Sequence, residues 1–568
     1  MKKILNSSLI KSKYFSLWVM FIIVIMGGIF RFYNLEWDGG YFYHPDEITV
    51  ANMVSKISIP DKLDPQFYSY NSFAPYMDRA VVQVVSVVTN DPTWLSDIVK
   101  ITLIGRVVSA TLSTATIILI YILAKMLKGK RIALISAFIA ACSVIFIQHA
   151  HYIVTETALI FFLLLVMIFS IKIIESNKKM YWLLAAIFSG LSIGTKMTGA
   201  FFLIIPALTI FVKFMEDVKR ERKLFTHGLN YIIEGIYFLA ITFTFAFLSS
   251  PYSLLKFDKF MDALKYENGM VSGTIPVPYT VQYFNTEPFW YQFYNLNWSL
   301  SFIIPTIGFI GIIWWLFSIF IKKEKYKAFP ILLFCILFFL YIGVQYTKFM
   351  RYTLPLVPVI IIGAAWFTVK ITEYIKDVRL KIIPVFIVLF IPFIWAFMYM
   401  SVYTNEHTWR TTTEWVYYNV PAGSNIVTEH WDYSLPHALP GLFPGKYRFA
   451  QVKGYDAETD QKYREMALTL SKGDYMIIAS KRLTDSIPRE DEIAYPIMSK
   501  YYDKLFSGKL GYTVVQHITS YPRLGPWEIN DNAADESFQV YDHSPVYILK
   551  NEGKMTQNDL FNILYLGK

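Results

Sequence analysis

The sequence predicts a polytopic α-helical membrane protein with a C-terminal α/β domain held outside the membrane. Three observations predict it. About eleven apolar runs are long enough, or nearly so, to cross a bilayer, which takes about 20 residues. Lys and Arg gather in short loops between alternate runs. Beyond about Ser401 the pattern turns to short β-like runs punctuated by turn residues. Composition agrees: of 568 residues, 55% are hydrophobic, 18% aromatic and only 17% charged, against about 25% charged in an ordinary soluble domain.

The runs begin near Phe15, Ile101, Ile132, Ala158, Tyr181, Thr198, Tyr231, Leu300, Pro330, Leu354 and Ile382. The run from Tyr181 ends by Thr195 and is short, so it either spans alone or joins the next run as one kinked element. The first run is too long for a signal peptide and lacks a small-residue cleavage site, so it reads as an anchor. Basic residues lie in the tail (Lys2, Lys3, Lys11, Lys13) and in segments 125–131, 172–179, 213–223, 322–327 and 370–381. The positive-inside rule makes these cytoplasmic. Segments 34–100, 148–156, 249–299 and 345–352 then face outward. An odd number of spans leaves the N-terminus cytoplasmic and the C-terminal domain extracytoplasmic, in the cell (plasma) membrane. The net charge of +10 has the same origin, which argues against a nucleic-acid partner. Cys142 and Cys335 both fall inside apolar runs. The exported part is therefore free of disulfides and no cysteine metal site is available.

The domain boundaries follow: a membrane domain over residues 1–400, with a first external loop at about 34–100, and an extracytoplasmic domain over 401–568. In the latter, Pro421-Ala-Gly423, Pro440-Gly441 and Pro444-Gly445 mark turns. Runs 425–428, 474–479 and 512–519 read as strands and 456–471 as a helix.

Charged groups at membrane depth or at span ends are costly and therefore point to function. Span one ends in Arg31, and Tyr43-His44-Pro45-Asp46-Glu47 follows. Adjacent carboxylates there can hold a base poised or bind a cation; a solvated acidic loop is the plainer reading. Arg106, Glu156, Lys196, Lys348 and Arg351 would lie at the same membrane face. Each cation taken alone fits snorkelling or a structural ion pair. Their shared sidedness favours one cavity, and cations at that depth suit a lipid phosphate. His149 and His151, joined by His44, could present imidazoles to a divalent metal, or serve as simple hydrogen-bonding groups.

At these residues the sequence resembles the protein O-mannosyltransferase and lipid A aminoarabinose transferase group, which are GT-C-type glycosyltransferases. The motifs are His44-Pro45-Asp46-Glu47 after an Arg-terminated first span, Gly105-Arg106-Val-Val-Ser109-Ala110, Glu156 opening a span, Gly194-Thr195-Lys196, and Arg351-Tyr352-Thr-Leu-Pro355. In the C-terminal part, Arg410, Trp415, Pro421-Ala-Gly-Ser424, Glu429-His-Trp-Asp432 and Tyr541-Asp542-His543 resemble the external domain of prokaryotic members. The sequence departs from the group at Glu156, where relatives often carry Asp. Segment 249–299 is too short for the β-trefoil inserted in eukaryotic protein mannosyltransferases, which points to a bacterial or archaeal enzyme.

The resemblance implies transfer of a sugar from a polyprenyl-phosphate donor to a lipid, glycan or protein acceptor outside the cytoplasm, by a single inverting displacement. It implies Asp46 as base, Glu47 tuning it and Glu156 as second carboxylate. Lys348 and Arg351, with Lys196 and Arg106, would bind the donor phosphate. A glycan polymerase or ligase is a neighbouring possibility. A transporter or lipid flippase is the alternative outside this class, and a scaffold or receptor on a membrane anchor is another. Neither an internal repeat nor midplane charge supports the transporter.

Overall fold

A computed structural model describes residues 13–567, apart from 177, 222–223, 276, 322–325 and 490–494. Lys2, Lys3 and Lys11 of the basic tail, and most of the 322–327 loop, lie outside the described residues. The chain divides into two compact units. The first comprises Met1–Glu267, Phe289–Val344 and Met350–Phe397; the second comprises Asn268–Pro288, Gln345–Phe349 and Met398–Lys568. The expected boundary near residue 400 treats the second unit as one continuous stretch. The two shorter segments also join it.

The first unit is helical. Its site-bearing elements are α1 (Lys13–Phe32), α2 (Pro45–Lys56), α3 (Phe73–Thr89), α4 (Ile98–Lys128), α5 (Lys130–Ala141), α6 (Val144–Ala150), α7 (Thr155–Ser176) and α8 (Lys179–Thr195). Among the described residues, nine helices are long and apolar enough to cross a membrane, and the pair α5 and α6, bent by 53°, makes a tenth. The eleventh expected span is α8. Its 17 residues rise about 25 Å, short of a hydrocarbon core of about 30 Å. It ends at Lys196, whose backbone is extended (φ −157°, ψ 140°), and the chain continues through a 3-10 turn, Met197–Leu203, into Ile204–Glu221.

Arg31, fully buried in the last turn of α1, fastens three helices together. Its Nε donates to Ser113 Oγ (2.8 Å) in α4. Its Nη1 and Nη2 donate to the carbonyls of Ala141 (3.0 Å) and Ala140 (2.9 Å) at the end of α5. A cation on the exposed carbonyls of a helix C-terminus satisfies acceptors that have no partner within the helix.

The second unit carries a five-stranded sheet formed by β1 (Asn425–Glu429), β2 (Arg448–Val452), β3 (Tyr475–Ile478), β4 (Tyr512–Ile518) and β5 (Val546–Asn551), in the order β2-β1-β3-β5-β4. β1 runs parallel to β2 and β3, and β5 is antiparallel to β3 and β4. Val427, Met476, Ile478 and Leu549 enter one core with Tyr463, Met466, Ala467 and Leu470 of the helix Asp460–Lys472. Those four helix positions follow the i, i+3, i+4, i+7 pattern. The helix starts four residues later than expected because the side chain of Thr459 caps it, accepting from the Lys462 N–H. β2 escapes a sequence reading because it is an edge strand, exposed along most of its length, with no alternation to read. Also in this unit, buried His543 lies between the carboxylates of Asp542 and Asp531, the latter at 2.8 Å. The hydroxyls of Tyr399 and Tyr403 both donate to Asp542 (2.9 Å each).

Candidate active site

The first loop sets the site through the way α2 begins. Pro45 occupies the first helical position, where its missing N–H costs nothing. His44 is the N-cap, its Nδ1 accepting from the Asp46 N–H at 3.2 Å. Asp46 and Glu47 therefore sit in the first turn, where the helix dipole favours anions. Consecutive helical residues point about 100° apart, so the two carboxylates leave the helix in different directions and meet different partners.

Glu47 turns inward and is fully buried. Arg106 Nε donates to its Oε1 (2.9 Å) and Nη2 to its Oε2 (2.7 Å). The same guanidinium donates to Asp38 Oδ1 (3.0 Å) and Oδ2 (2.8 Å) and to the Leu35 carbonyl (2.7 Å). A guanidinium has five N–H groups, and these five bonds use them all. Gly105 lets this happen, since a Cβ there would lie 2.8 Å from Ile153 Cβ, and the Ile153 N–H donates to Glu47 Oε1 at 2.8 Å. The structure thus places Arg106, expected at the donor phosphate, and Glu47, expected beside the base, in one buried three-residue clamp with Asp38 that uses every N–H of the guanidinium.

Asp46 turns outward and meets Arg351, Nη1 to Oδ2, at 2.6 Å, with about a quarter of each side chain exposed. Burial by itself would raise the Asp46 carboxyl, but the Arg351 guanidinium, helped by His44, holds it below the usual carboxylate range. Glu156, at the start of α7, meets Lys196, Nζ to Oε1, at 2.6 Å. The two pairs are close enough that Asp46 and Glu156 each interact electrostatically with the other and with Arg351. Four segments from across the chain thus bring two carboxylates and two cations together.

Two residues with no sequence signal, Tyr70 and Glu267, join them, together with Tyr352 of the Arg351-Tyr352 motif. Tyr70 packs its ring 5.9 Å from Lys196 Nζ and lies in the field of Asp46, Arg351 and Glu156. Glu267, which burial raises against the pull of Lys196 and Arg351, and Tyr352 face the same groups. A tyrosine in an aromatic-rich loop, and a glutamate in the run Lys265-Tyr-Glu-Asn268, carry no motif that singles them out.

Lys348 belongs to the second unit. Its ammonium donates to Thr286 Oγ1 (3.0 Å) and the Tyr346 carbonyl (3.1 Å), both within that unit. The three histidines do not form a metal site. His151 has its Nδ1 on the Ile147 carbonyl (2.8 Å) and its Nε2 on the Tyr33 carbonyl (2.9 Å). His44 Nδ1 is taken by its own cap, and His149 Nδ1 lies on the Ile145 carbonyl (2.9 Å). A ligating imidazole needs an accessible ring lone pair, and both ring nitrogens of His151 lie against backbone carbonyls. Among the described residues no three His, Cys, Asp or Glu side chains are grouped to hold a metal. His149 instead lines a small cavity with Glu156, Ser113, Thr116 and Thr157.

The family model for dolichyl-phosphate-mannose-protein mannosyltransferase matches residues 101–248. A Bacillus subtilis protein provisionally described as a mannosyltransferase, YkcB, is 34% identical over 116 residues, 20% of this chain and 16% of that protein. An uncharacterized Aquifex aeolicus protein is 26% identical over 267 residues, 46% of this chain and 48% of that one. The matched stretches thus span less than half the length of either relative. Among solved structures, the Archaeoglobus fulgidus oligosaccharyltransferase in its apo form superposes with a TM-score of 0.51 at 14% identity, covering 86% of this chain and 73% of that one. The same enzyme in complex with an inhibitory peptide and a dolichol-phosphate gives 0.50 at 14% identity, covering 86% and 72%. At such identity the likeness is one of fold, and the fold is GT-C.

Proposed function

We propose that this GT-C membrane protein is a glycosyltransferase that moves a sugar from a polyprenyl-phosphate donor to an acceptor hydroxyl on the extracytoplasmic side. The observation that carries the reading is the paired arrangement Asp46–Arg351 and Glu156–Lys196, two cations each held by a carboxylate in one place. A phosphodiester needs such cations, because an anomeric phosphate leaves readily once its charge is neutralised. Arg351 offers it a fork and Lys196 a point charge.

Ion exchange follows from this pairing. When the donor phosphate takes Arg351, Asp46 loses the partner that holds its carboxyl low and becomes a better proton acceptor. Asp46 then takes the acceptor hydroxyl proton as that oxygen attacks the anomeric carbon from the face opposite the phosphate. The C–O bond to phosphate breaks, polyprenyl phosphate departs and the anomeric configuration inverts. Glu156 holds Lys196 in place until the donor arrives. Positioning of both reactants supplies much of the rate.

The experiment follows transfer of labelled sugar from polyprenyl-phosphate donors in membranes holding wild-type protein or Asp46→Asn. Wild-type transfer with a loss of at least about 10²-fold in the variant is expected, the usual consequence of removing a general base. Retention of more than about a tenth of wild-type turnover removes Asp46 from the base role. Absence of wild-type transfer from every donor tried overturns the glycosyltransferase reading.

A further inference from the structure

The helix Trp290–Leu300 buries polar side chains that a surface helix would leave in solvent. Trp290 at its start is 65% exposed, while Gln292, Asn295 and Ser299, at i, i+3 and i+7, are all fully buried. A helix on the surface of a protein turns its apolar stripe inward and its polar residues outward; this one buries Gln292, Asn295 and Ser299 alongside Leu296, Trp298 and Leu300. The helix packs against Met350–Leu356, which carries Arg351 and Tyr352, and against α6, which carries His149. It also packs against Ile304–Ile321 and Phe329–Gly343, whose compositions are almost wholly apolar.

Among these buried polar residues Gln292 stands apart. Ser299 has a local bond, its Oγ donating to the Asn295 carbonyl at 2.8 Å. The amide nitrogen and the amide oxygen of Gln292 are both buried without a hydrogen-bond partner among the described residues. A buried primary amide with neither end satisfied is rare in folded proteins and is kept only where something else supplies the bonds.

We propose that Gln292, on a helix packed against the Arg351 segment, is a substrate-binding residue whose amide takes hydroxyl groups of the sugar that the lipid phosphate carries. This rests on the donor reading above. The amide chemistry selects the partner: Nε2 donates and Oε1 accepts, so the matching group must offer both functions at once. A phosphodiester offers acceptors only and would leave Oε1 unsatisfied. A sugar hydroxyl, or two neighbouring ones, offers both. The lipid tail offers neither. Arg351 thus binds the phosphate, and Gln292, on the helix packed against its segment, reads the ring attached to it.

The test compares binding of two probes, dolichyl phosphate and dolichyl phosphate carrying mannose or glucose, to the full-length protein in nanodiscs, together with the melting temperature of the ligand-free protein. Gln292→Met keeps the volume and removes both polar groups. It is expected to leave the ligand-free melting temperature unchanged or raised, because no bond is lost. Affinity for dolichyl phosphate stays at the wild-type value, and the sugar-bearing lipid binds at least about tenfold more weakly. Equal weakening of both lipids, or weakening of neither, overturns the sugar assignment. A fall in the ligand-free melting temperature with unchanged discrimination assigns the residue to a buried structural water instead and also overturns it. Wild-type protein that binds neither probe overturns the donor reading itself, and this inference falls with it.

Discussion

Removing the Arg106 guanidinium separates a structural clamp from a ligand site. The group makes five bonds, four of them to the carboxylates of Asp38 and Glu47, and all three side chains are at most 3% exposed. Arg106→Ala leaves two carboxylates in a dry interior with no counter-ion. Breaking one buried pair in this way costs about 3–5 kcal/mol, and here one cation serves two acids, so the upper end applies. Set against a typical folding stability of about 5–15 kcal/mol, the variant is expected to accumulate poorly and to melt well below wild type. Arg106→Lys keeps the charge but loses the fork and falls between. Glu47→Gln leaves Arg106 paired with Asp38 and is milder. In a double-mutant cycle the two changes should be strongly non-additive, since each removes the other's partner. The assay is thermal unfolding in detergent or nanodiscs, with polyprenyl-phosphate binding measured alongside. An Arg106→Ala protein with wild-type melting and a large loss of phosphate binding would refute the clamp and return Arg106 to the donor site.

Arg351→Ala should act the other way, because its pair with Asp46 is partly open to solvent and contributes at most about 1 kcal/mol to folding. Melting should change little while donor KM rises or kcat falls at least about tenfold; unchanged kinetics in a donor-transfer assay would take Arg351 out of the site. The buried imidazole of His543 is raised to about 10 by Asp542 and Asp531, which outweigh its burial. Its folded value lies above the unfolded one of about 6.5. Its stabilising contribution is therefore full below pH of about 6.5 and is lost as pH rises toward about 10. Full-length His543→Gln should melt lower than wild type at pH 6 and show a flatter decline between pH 7 and 10; a decline as steep as that of wild type would remove His543 from that role.

Much of the architecture was legible because its signals are local. Apolar runs reveal most of the spans, since a bilayer sets their length without reference to neighbours. The strands at 425, 474 and 512 and the helix before the second of them were placed to within a few residues by apolar pattern and turn residues. The short run ending at Thr195 fits either a separate span or part of the next by its length, and the structure breaks it at Lys196. The pairing of Asp46, Glu156, Lys196 and Arg351 was legible only as a shared expected side of the membrane.

What the sequence by itself determined is a membrane chain with a GT-C-like order of motifs and a small C-terminal α/β domain. What only the tertiary structure decided is which charges pair with which, and which of them stay partly open to solvent. Asp46 and Glu47 are neighbours in the chain, yet the helix turns one toward Arg351, 305 residues away, and the other toward Arg106, 59 residues away. The same holds for His151, whose ring nitrogens are consumed by two carbonyls, and for Gln292, which lies among ordinary aromatic residues in sequence. A side chain's role depends on whether its hydrogen-bonding groups are already satisfied. That is a property of long-range packing, and no local pattern encodes it.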